Sequence, residues 1–270
     1  MPIIYTHNGN AHRDEFLAIA LILAKEKDLF LIRRVSEIHE VELEDPNVFV
    51  IDIGRQYDPQ LRNFDHHQLP ADADPTCSFS LILDYYGINR DYLPDWVAHT
   101  VLMDSKGPTV VAKQYGLATF PSALFSPIED YILEYFNIEF INHNDLLYRL
   151  MIKIGNSMID EINKNIIDYE IVKQSHHYVV NGIGILISDC DNPAIVSKYK
   201  KVKDFDISIV PDSRNGGWSL YRYNDHPRIN FCNIKDENSV LFAHNSGFIA
   251  KTKNKIPDRE LLELCQKAIK

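Results

Sequence analysis

Residues 47–54, NVFVIDIG, constrain this chain more than any other stretch. A strand with one face in water alternates apolar and polar residues. An unbroken apolar run stopped by Asp52 and Gly54 suits a strand buried on both faces, as in a parallel sheet covered by helices. The preceding chain agrees. PIIYTH, 2–7, reads as a strand ending in a polar loop. From His12 to about Lys25 the pattern is helical, with Leu17, Leu21 and Ala24 at helical spacing, and DLFLIRRV, 28–35, reads as another strand. Strand, helix, strand, strand is an α/β order. Ligands of open α/β sheets sit beyond the carboxyl ends of the strands. His7 and Asp52 both lie at such ends, although 45 positions separate them.

Further on, 79–87, 92–103, 109–117 and 124–136 read mainly as short helices. A longer helix is expected from about Asn144 to Asp168, with apolar residues from Leu147 to Ile166 recurring every three or four positions. The texture then changes. YVVNGIGILI (178–187), DISIVP (206–211), WSLYRY (218–223) and RINF (228–231) read as strands of a small mixed sheet. The expected architecture is α/β: a parallel-sheet N-terminal domain over 1–140, a helical linker over 141–175 and a smaller mixed-sheet C-terminal domain over 176–270.

The 270 residues carry a formal net charge of −10, which disfavours non-specific binding to long duplexes but leaves room for a short strand or small anion at a metal-loaded cleft. Cys77, Cys190, Cys232 and Cys265 form no CxxC pair and read as reduced, mainly buried thiols rather than a zinc site. The longest apolar run, FLAIALILA at 16–24, is too short to span a bilayer. With no targeting signal recognised, the expected location is cytoplasmic, without a membrane partner.

The chemistry-bearing residues cluster early. His7, His12, Asp14, Asp52, Asp65, His66, His67 and Asp104 all fall at expected loop or element-end positions. A pair of divalent ions needs nitrogen and oxygen ligands with one carboxylate shared between them, and this set offers that inventory. Asp52, ending a mid-sheet strand, is the natural bridge. Each piece also has a plainer reading: Asp14 and Glu15 as first-turn acids complementing a helix dipole, Asp52 as a turn residue, Asp104 as the start of a DSKGP loop, and the histidines as surface groups.

The run DIGRQYDPQLRNFDHHQ, 52–68, resembles the second and third motifs of the DHH phosphoesterase superfamily. With the opening THNGNAHRDE, 6–15, the resemblance is strongest to its melanocyte-proliferating-gene (MYG-type) exonuclease branch. VLFAHNSGFIAKT, 240–252, is similar to that branch's closing segment. The resemblance implies a DHH-type catalytic domain in which His7 and His12 bind one metal, Asp14, His66 and Asp104 the other, and Asp52 both. It implies that His67 meets substrate phosphate and that Asp65 orients a histidine. The loop after Asp104 departs from the branch, reading DSKG where the branch has a form like DAxDNG.

The implied activity is divalent-metal-dependent phosphodiester hydrolysis, as a 3′–5′ exonuclease on short single-stranded RNA or DNA. The ligand set suits a two-metal Mn²⁺ site, with Mg²⁺ or Zn²⁺ as alternatives. His244, Asn245, Ser246, Gly247 and Arg222 are the expected substrate contacts of the second domain. Arg214, Lys251 and Lys253 read more simply as solvated charges. Two alternatives stay open: a small-nucleotide phosphodiesterase or pyrophosphatase, and a non-catalytic phosphate- or nucleic-acid-binding module. His12 stands where the pyrophosphatase branch has an aspartate, which weighs against that activity. The oligomeric state is open, a dimer being one of the states allowed.

Overall fold

In a computed structural model the structure describes residues 1–118 and 126–270, apart from the side chain of Asp91. The chain divides into two compact units, Met1–Ile162 and Asn163–Lys270. The class is the expected α/β one, with two six-stranded sheets, one in each unit.

The first unit begins β1 (Ile3–His7), α1 (Arg13–Lys25), β2 (Leu31–Val35), α2 (Glu40–Leu43) and β3 (Phe49–Ile51). Two very short strands follow, β4 (Tyr57–Asp58) and β5 (Asn63–Phe64). The sheet is completed by β6 (Phe140–Ile141) after the helices α3 (Ser78–Tyr85), α4 (Asp95–Gln114) and α5 (Pro127–Phe136). The strand order is β4-β5-β3-β1-β2-β6, parallel from β5 to β2 and antiparallel at both edges. The unbroken run at 47–54 becomes a three-residue central strand, Phe49–Ile51, with all three side chains buried.

Helix α1 is sunk in the unit. Phe16 and every residue from Ala18 to Leu23 are buried, while Asp14 and Glu15 in its first turn are buried acids. The long helix α6 (Leu146–Lys173) crosses α1 at Gly155, where an added Cβ would lie 2.0 Å from the Ala20 carbonyl oxygen. Only a glycine lets the two backbones approach so closely. The fused aromatic core of Phe49, Phe64 and Tyr85 clamps β3 and β5 beneath α3.

Three expectations for the first unit change in detail. The helices expected at 92–103 and 109–117 are one kinked helix, α4, broken in direction at Gly107 (φ 78°) and Pro108. Asp104 therefore sits within a helix, three residues before the kink, and not on a loop. Pro108 is tolerated because it restarts a helical segment, where its missing N–H costs nothing. The helix expected at 124–136 is α5, from Pro127; positions 124 and 125 lie outside the described residues.

The second unit contains β7 (His176–Val180), β8 (Ile183–Ile187), α7 (Pro193–Tyr199), β9 (Ile207–Pro211), β10 (Trp218–Arg222), β11 (Val240–Ala243), β12 (Ile249–Thr252) and α8 (Asp258–Ala268). Its order is β11-β12-β10-β9-β8-β7, with β8 and β9 parallel and the other pairs antiparallel. The strand expected over 178–187 is a hairpin. Asn181 (φ 52°) and Gly182 (φ 78°) make a left-handed two-residue turn, the geometry for which Asn-Gly is selected. RINF is not a strand: Ile229 makes an isolated bridge to Ile269, and Phe231–Ile234 is a short 3-10 turn. His176 and His177 lie on β7.

Candidate metal centre

The first sheet delivers its polar residues to one edge. His7 closes β1, Asp52 follows β3, and Asp65, His66 and His67 follow β5. These three strands are parallel neighbours, about 4.8 Å apart. That is why residues far apart in sequence meet. The place is also where the chain order reverses: β1 is followed by β2 on one side and then by β3 on the other, the usual ligand position of an open α/β sheet.

Asp52 is the hub. Its backbone is left-handed (φ 60°), a conformation that aspartate tolerates better than most residues, and its N–H donates to the Phe64 carbonyl at 3.1 Å. Its two carboxylate oxygens face different partners. Oδ1 accepts from Ser78 Oγ at 2.9 Å and lies 3.2 Å from His66 Nε2. Oδ2 lies 3.4 Å from His7 Nε2. A carboxylate with one imidazole on each oxygen is placed as a bridging ligand would be.

Around it the other groups close in. His66 Nε2 is 3.0 Å from Asp104 Oδ2. Asp14 is fully buried, and its Oδ2 accepts from the Ser78 N–H at 3.2 Å. Among the described residues, three sets have ligand atoms within 4.8 Å of one another: His7, His12, Glu15 and Asp52; Asp52, His66 and His67; and His12, Asp14 and Asp104. Together these sets contain the six residues expected from sequence, His7, His12, Asp14, Asp52, His66 and Asp104.

The fit to cations is tested by what these atoms lack. Asp14 Oδ1, Glu15 Oε2, Asp52 Oδ2, His66 Nε2 and Asp104 Oδ2 are buried without a hydrogen-bond partner. The short separations above are close approaches that miss hydrogen-bond directionality. Leaving a buried charged group unpaired costs several kcal/mol, so a cluster of such atoms converging on shared points is suited to cations. The donors are imidazole nitrogen and carboxylate oxygen, a set that first-row divalent ions accept.

Protonation tells the same story. His7 Nδ1 lies 2.7 Å from the Asn8 carbonyl oxygen, which can only accept. Nδ1 therefore carries the proton, and a neutral ring turns its Nε2 lone pair toward Asp52 Oδ2 and Glu15 Oε1. Without a cation there, a second proton takes its place: the nearby Asp52 and Glu15 carboxylates raise the His7 pKa to about 10 against burial. Burial pulls His66 down, but Asp104 and Asp52 overcome it and raise His66 to about 10 as well. Burial likewise pushes Asp52 up, yet His66, His7 and Ser78 hold it well below the usual carboxylate range. Asp14 goes the other way. Burial and the neighbouring Asp52 and Asp104 push it well above its ordinary value.

Asp65 and His67 form a separate, satisfied pair. Asp65 Oδ1 accepts from His67 Nδ1 at 2.8 Å and from the His67 N–H at 2.9 Å, and Oδ2 accepts from the Arg55 N–H at 2.7 Å. These bonds outweigh burial and lower the Asp65 pKa. His67 is half exposed, and with Nδ1 committed its Nε2 is the nitrogen left for a ligand.

Three contributors are absent from the sequence reading. Glu15 was read only as a first-turn acid, yet its Oε1 accepts from the His12 N–H at 2.8 Å and sits 3.3 Å from His7 Nε2. Buried Arg34 stands behind it, with Nη1 3.4 Å from Oε1 and Nη2 donating to the Gly9 carbonyl at 3.3 Å. Ser78, at the start of α3, ties Asp14 to Asp52. The capping spacing of His12 and Glu15 could have flagged Glu15. No sequence signal marks Ser78 or Arg34.

The expected substrate contacts of the second unit are described within that unit. His244, Asn245, Ser246 and Gly247 form the turn between β11 and β12. His244 Nδ1 is 2.6 Å from Ser246 Oγ, and the Gly247 N–H donates to the His244 carbonyl at 2.8 Å. An added Cβ at Gly247 would lie 2.0 Å from Asn230 Oδ1. Arg222 donates to the Ile229 carbonyl at 2.9 Å and to Asp225 at 2.8 Å, so two of its nitrogens hold the loop after β10.

Comparison with known proteins finds a family model over the beginning of the chain and relatives matched over a quarter of it. Residues 3–89 match the family model MYG1_exonuc, described as an uncharacterised protein family (UPF0160). MYG1 exonuclease of Bos taurus is 42% identical over 72 residues, that of Homo sapiens 39% over 72, and that of Rattus norvegicus 43% over 68. Each match covers 25% of this chain and 17% of the relative's length. The family match runs from β1 through α3, including Asp52, the DHH triplet and Ser78. Asp104 and the whole second unit lie outside it.

Proposed function

We propose that this protein is a divalent-metal-dependent phosphodiesterase acting on short single-stranded RNA or DNA as an exonuclease. The observation that carries the reading is the set of unpartnered buried ligand atoms on Asp14, Asp52, His66 and Asp104, gathered around a carboxylate that offers one oxygen to each side. The exonuclease name of the matched relatives supports the substrate class, and the family resemblance supports attack from the 3′ end. Mn²⁺ is the preferred ion, since three imidazoles in the ligand set fit it better than Mg²⁺.

His7, His12, Asp14, Asp52, His66 and Asp104 would hold two cations. When bound, such a pair supplies positive charge to a phosphate and acidifies water. The chain's own groups do the rest. Asp65 fixes the His67 ring through Nδ1–H and raises its pKa, so that the protonated ring presents Nε2–H outward, where it donates to a phosphoryl oxygen and favours the charge that grows there. Arg34 and the His12 N–H hold Glu15 in place beside His7. Ser78 fixes the relative position of Asp14 and Asp52. His244, Asn245, Ser246, Gly247 and Arg222 remain the proposed substrate contacts of the second unit.

The test is a turnover panel at saturating Mn²⁺: 3′- and 5′-labelled single-stranded RNA and DNA, a dinucleotide, a cyclic dinucleotide and pyrophosphate. Expected are stepwise loss from the 3′ end of short strands and an Asp52→Asn variant slower by roughly 10³-fold, a loss of about 4 kcal/mol of transition-state stabilisation. No cleavage of any member, with Asp52→Asn indistinguishable from wild type in Mn²⁺ binding, would sink the reading.

A further inference from the structure

Beside the ligand cluster the first unit holds a cavity of about 480 Å³, lined by His12, Asp14 and Asp104 among others. Its volume falls within the range of about 300–1,000 Å³ typical of small-molecule sites. Ala11, Met103, Pro108 and Leu133 give it an apolar lining. Its charged lining, apart from the ligands, is Arg13, Glu129 and Asp130. Arg13 already spends its Nε and Nη2 on the Glu129 carboxylate, and its Nη1 lies 3.5 Å from Thr100 Oγ. Burial and Arg13 also hold His99, another lining residue, below its ordinary pKa, so it adds no cation at neutral pH.

We propose that this cavity takes the uncharged nucleoside part of a nucleotide whose phosphate lies at the His12, Asp14 and Asp104 ligand cluster. The inference rests on the phosphodiesterase reading and deepens it. The chemistry of the lining selects the occupant. Apolar side chains match the faces of a base, and carboxylates match the hydroxyl and amino donors of a nucleoside. A second phosphate would meet Asp130, while Arg13 and Glu129, paired with each other, offer it no net positive charge. A strand end with a base and sugar beside the scissile phosphate fits here, and pyrophosphate does not.

Calorimetric titration of the full chain with saturating Mn²⁺ tests this, using inorganic phosphate, adenosine monophosphate and pyrophosphate as probes. The monophosphate nucleotide should bind at least tenfold tighter than phosphate. Leu133→Trp, which fills the cavity, should cut that advantage to under threefold while leaving Mn²⁺ and phosphate affinity unchanged. Glu129→Gln removes a wall charge without filling space and frees Arg13. It should move the affinity ratio at least threefold toward pyrophosphate, and it serves if the tryptophan variant does not fold. Equal binding of nucleotide and phosphate by wild type, or a full nucleotide advantage in a folded Leu133→Trp, overturns the cavity assignment and leaves the phosphodiesterase reading standing. Failure of wild type to bind Mn²⁺ overturns both.

Discussion

Both units bury carboxylates, and they treat them in opposite ways. In the second unit Asp168 accepts from Lys164 Nζ at 2.7 Å and Asn192 Nδ2 at 2.8 Å. Asp212 accepts from Lys251 Nζ at 2.9 Å, Asn215 Nδ2 at 3.0 Å and the Arg214 N–H at 3.2 Å. Each has a cation and a neutral donor, and each ties elements together. In the first unit Asp14 and Asp52 are at least as deeply buried, yet each keeps an oxygen without a hydrogen bond, and the nearest positive groups are imidazoles. A paired buried acid is architecture. Buried acids that crowd one another beside imidazoles form a cluster that could hold a metal ion. Asp65 shows that the first unit can also satisfy a carboxylate, here with His67 and the Arg55 N–H.

Removing the arriving group should break the comparison hardest. Chelation should abolish hydrolysis, and Mn²⁺ should restore it. Asp14→Asn should lower activity by roughly 10³-fold, about 4 kcal/mol at the transition state, and remove the rise in melting temperature that Mn²⁺ gives wild type. Asp168→Asn should leave both within about twofold. Asp14→Asn retaining Mn²⁺ stabilisation and activity would show that its buried acid is only structural.

Asp65→Asn comes next. An amide can accept on one atom only, so it cannot serve both His67 and the Arg55 N–H. The expected cost is about 10–100-fold in turnover, the range for groups that orient a functional histidine. Mn²⁺ affinity measured by calorimetry should change far less. An equal loss in Mn²⁺ affinity would instead make Asp65 part of the metal support.

Smaller still is the effect of Asp168→Asn on folding. It should destabilise by about 1–3 kcal/mol, the usual cost of weakening a buried charged hydrogen-bond pair. Thermal melts should show it equally with and without Mn²⁺. A loss that Mn²⁺ reverses would contradict the division between paired and unpaired acids.

The sequence carried much of this because strand ends are visible in patterning. The apolar run before Asp52 and the short run before His7 predict two neighbouring parallel strands, and that alone brings the two residues together. What escaped has physical reasons. β5 is only Asn63–Phe64, too short for any period, and its Asn63 looks solvent-seeking until its amide is seen donating to the Leu43 carbonyl at 2.7 Å. Glu15 finds Arg34 on β2, a pairing made by tertiary structure alone. Gly107 and Pro108 read as a loop because either residue ends most helices, yet here they only bend α4 and keep Asp104 on its first segment. The Asn-Gly at 181–182 was a legible hairpin signal overridden by the length of the apolar run around it.

The finest test of the contrast is the sign of the pH dependence, because Asp14 and Asp212 shift in opposite directions. Asp14 is raised, first by burial and then by Asp52 and Asp104. A folded pKa above the unfolded value, about 3.9, contributes stability that is present below that value and lost as pH rises through the folded pKa. His7 and His66, both raised to about 10, have the same sign: their contribution is present below about 6.5 and lost as pH climbs through about 10. The chelated protein should therefore lose stability as pH increases above about 4, and Asp14→Asn should flatten the first part of that decline. Asp212 is lowered: burial pushes it up, but Lys251 and Arg214 overcome it. Its contribution is present above the unfolded value and lost as pH falls through the folded one, so Asp212→Asn should flatten the acid limb. Mn²⁺ should reverse only the first effect, since ligands shed protons when they bind a cation. Melting temperatures measured from about pH 3 to 9, with chelator and with Mn²⁺, separate the two. Slopes of one sign for both variants would mean that Asp14, like Asp212, is a paired structural acid.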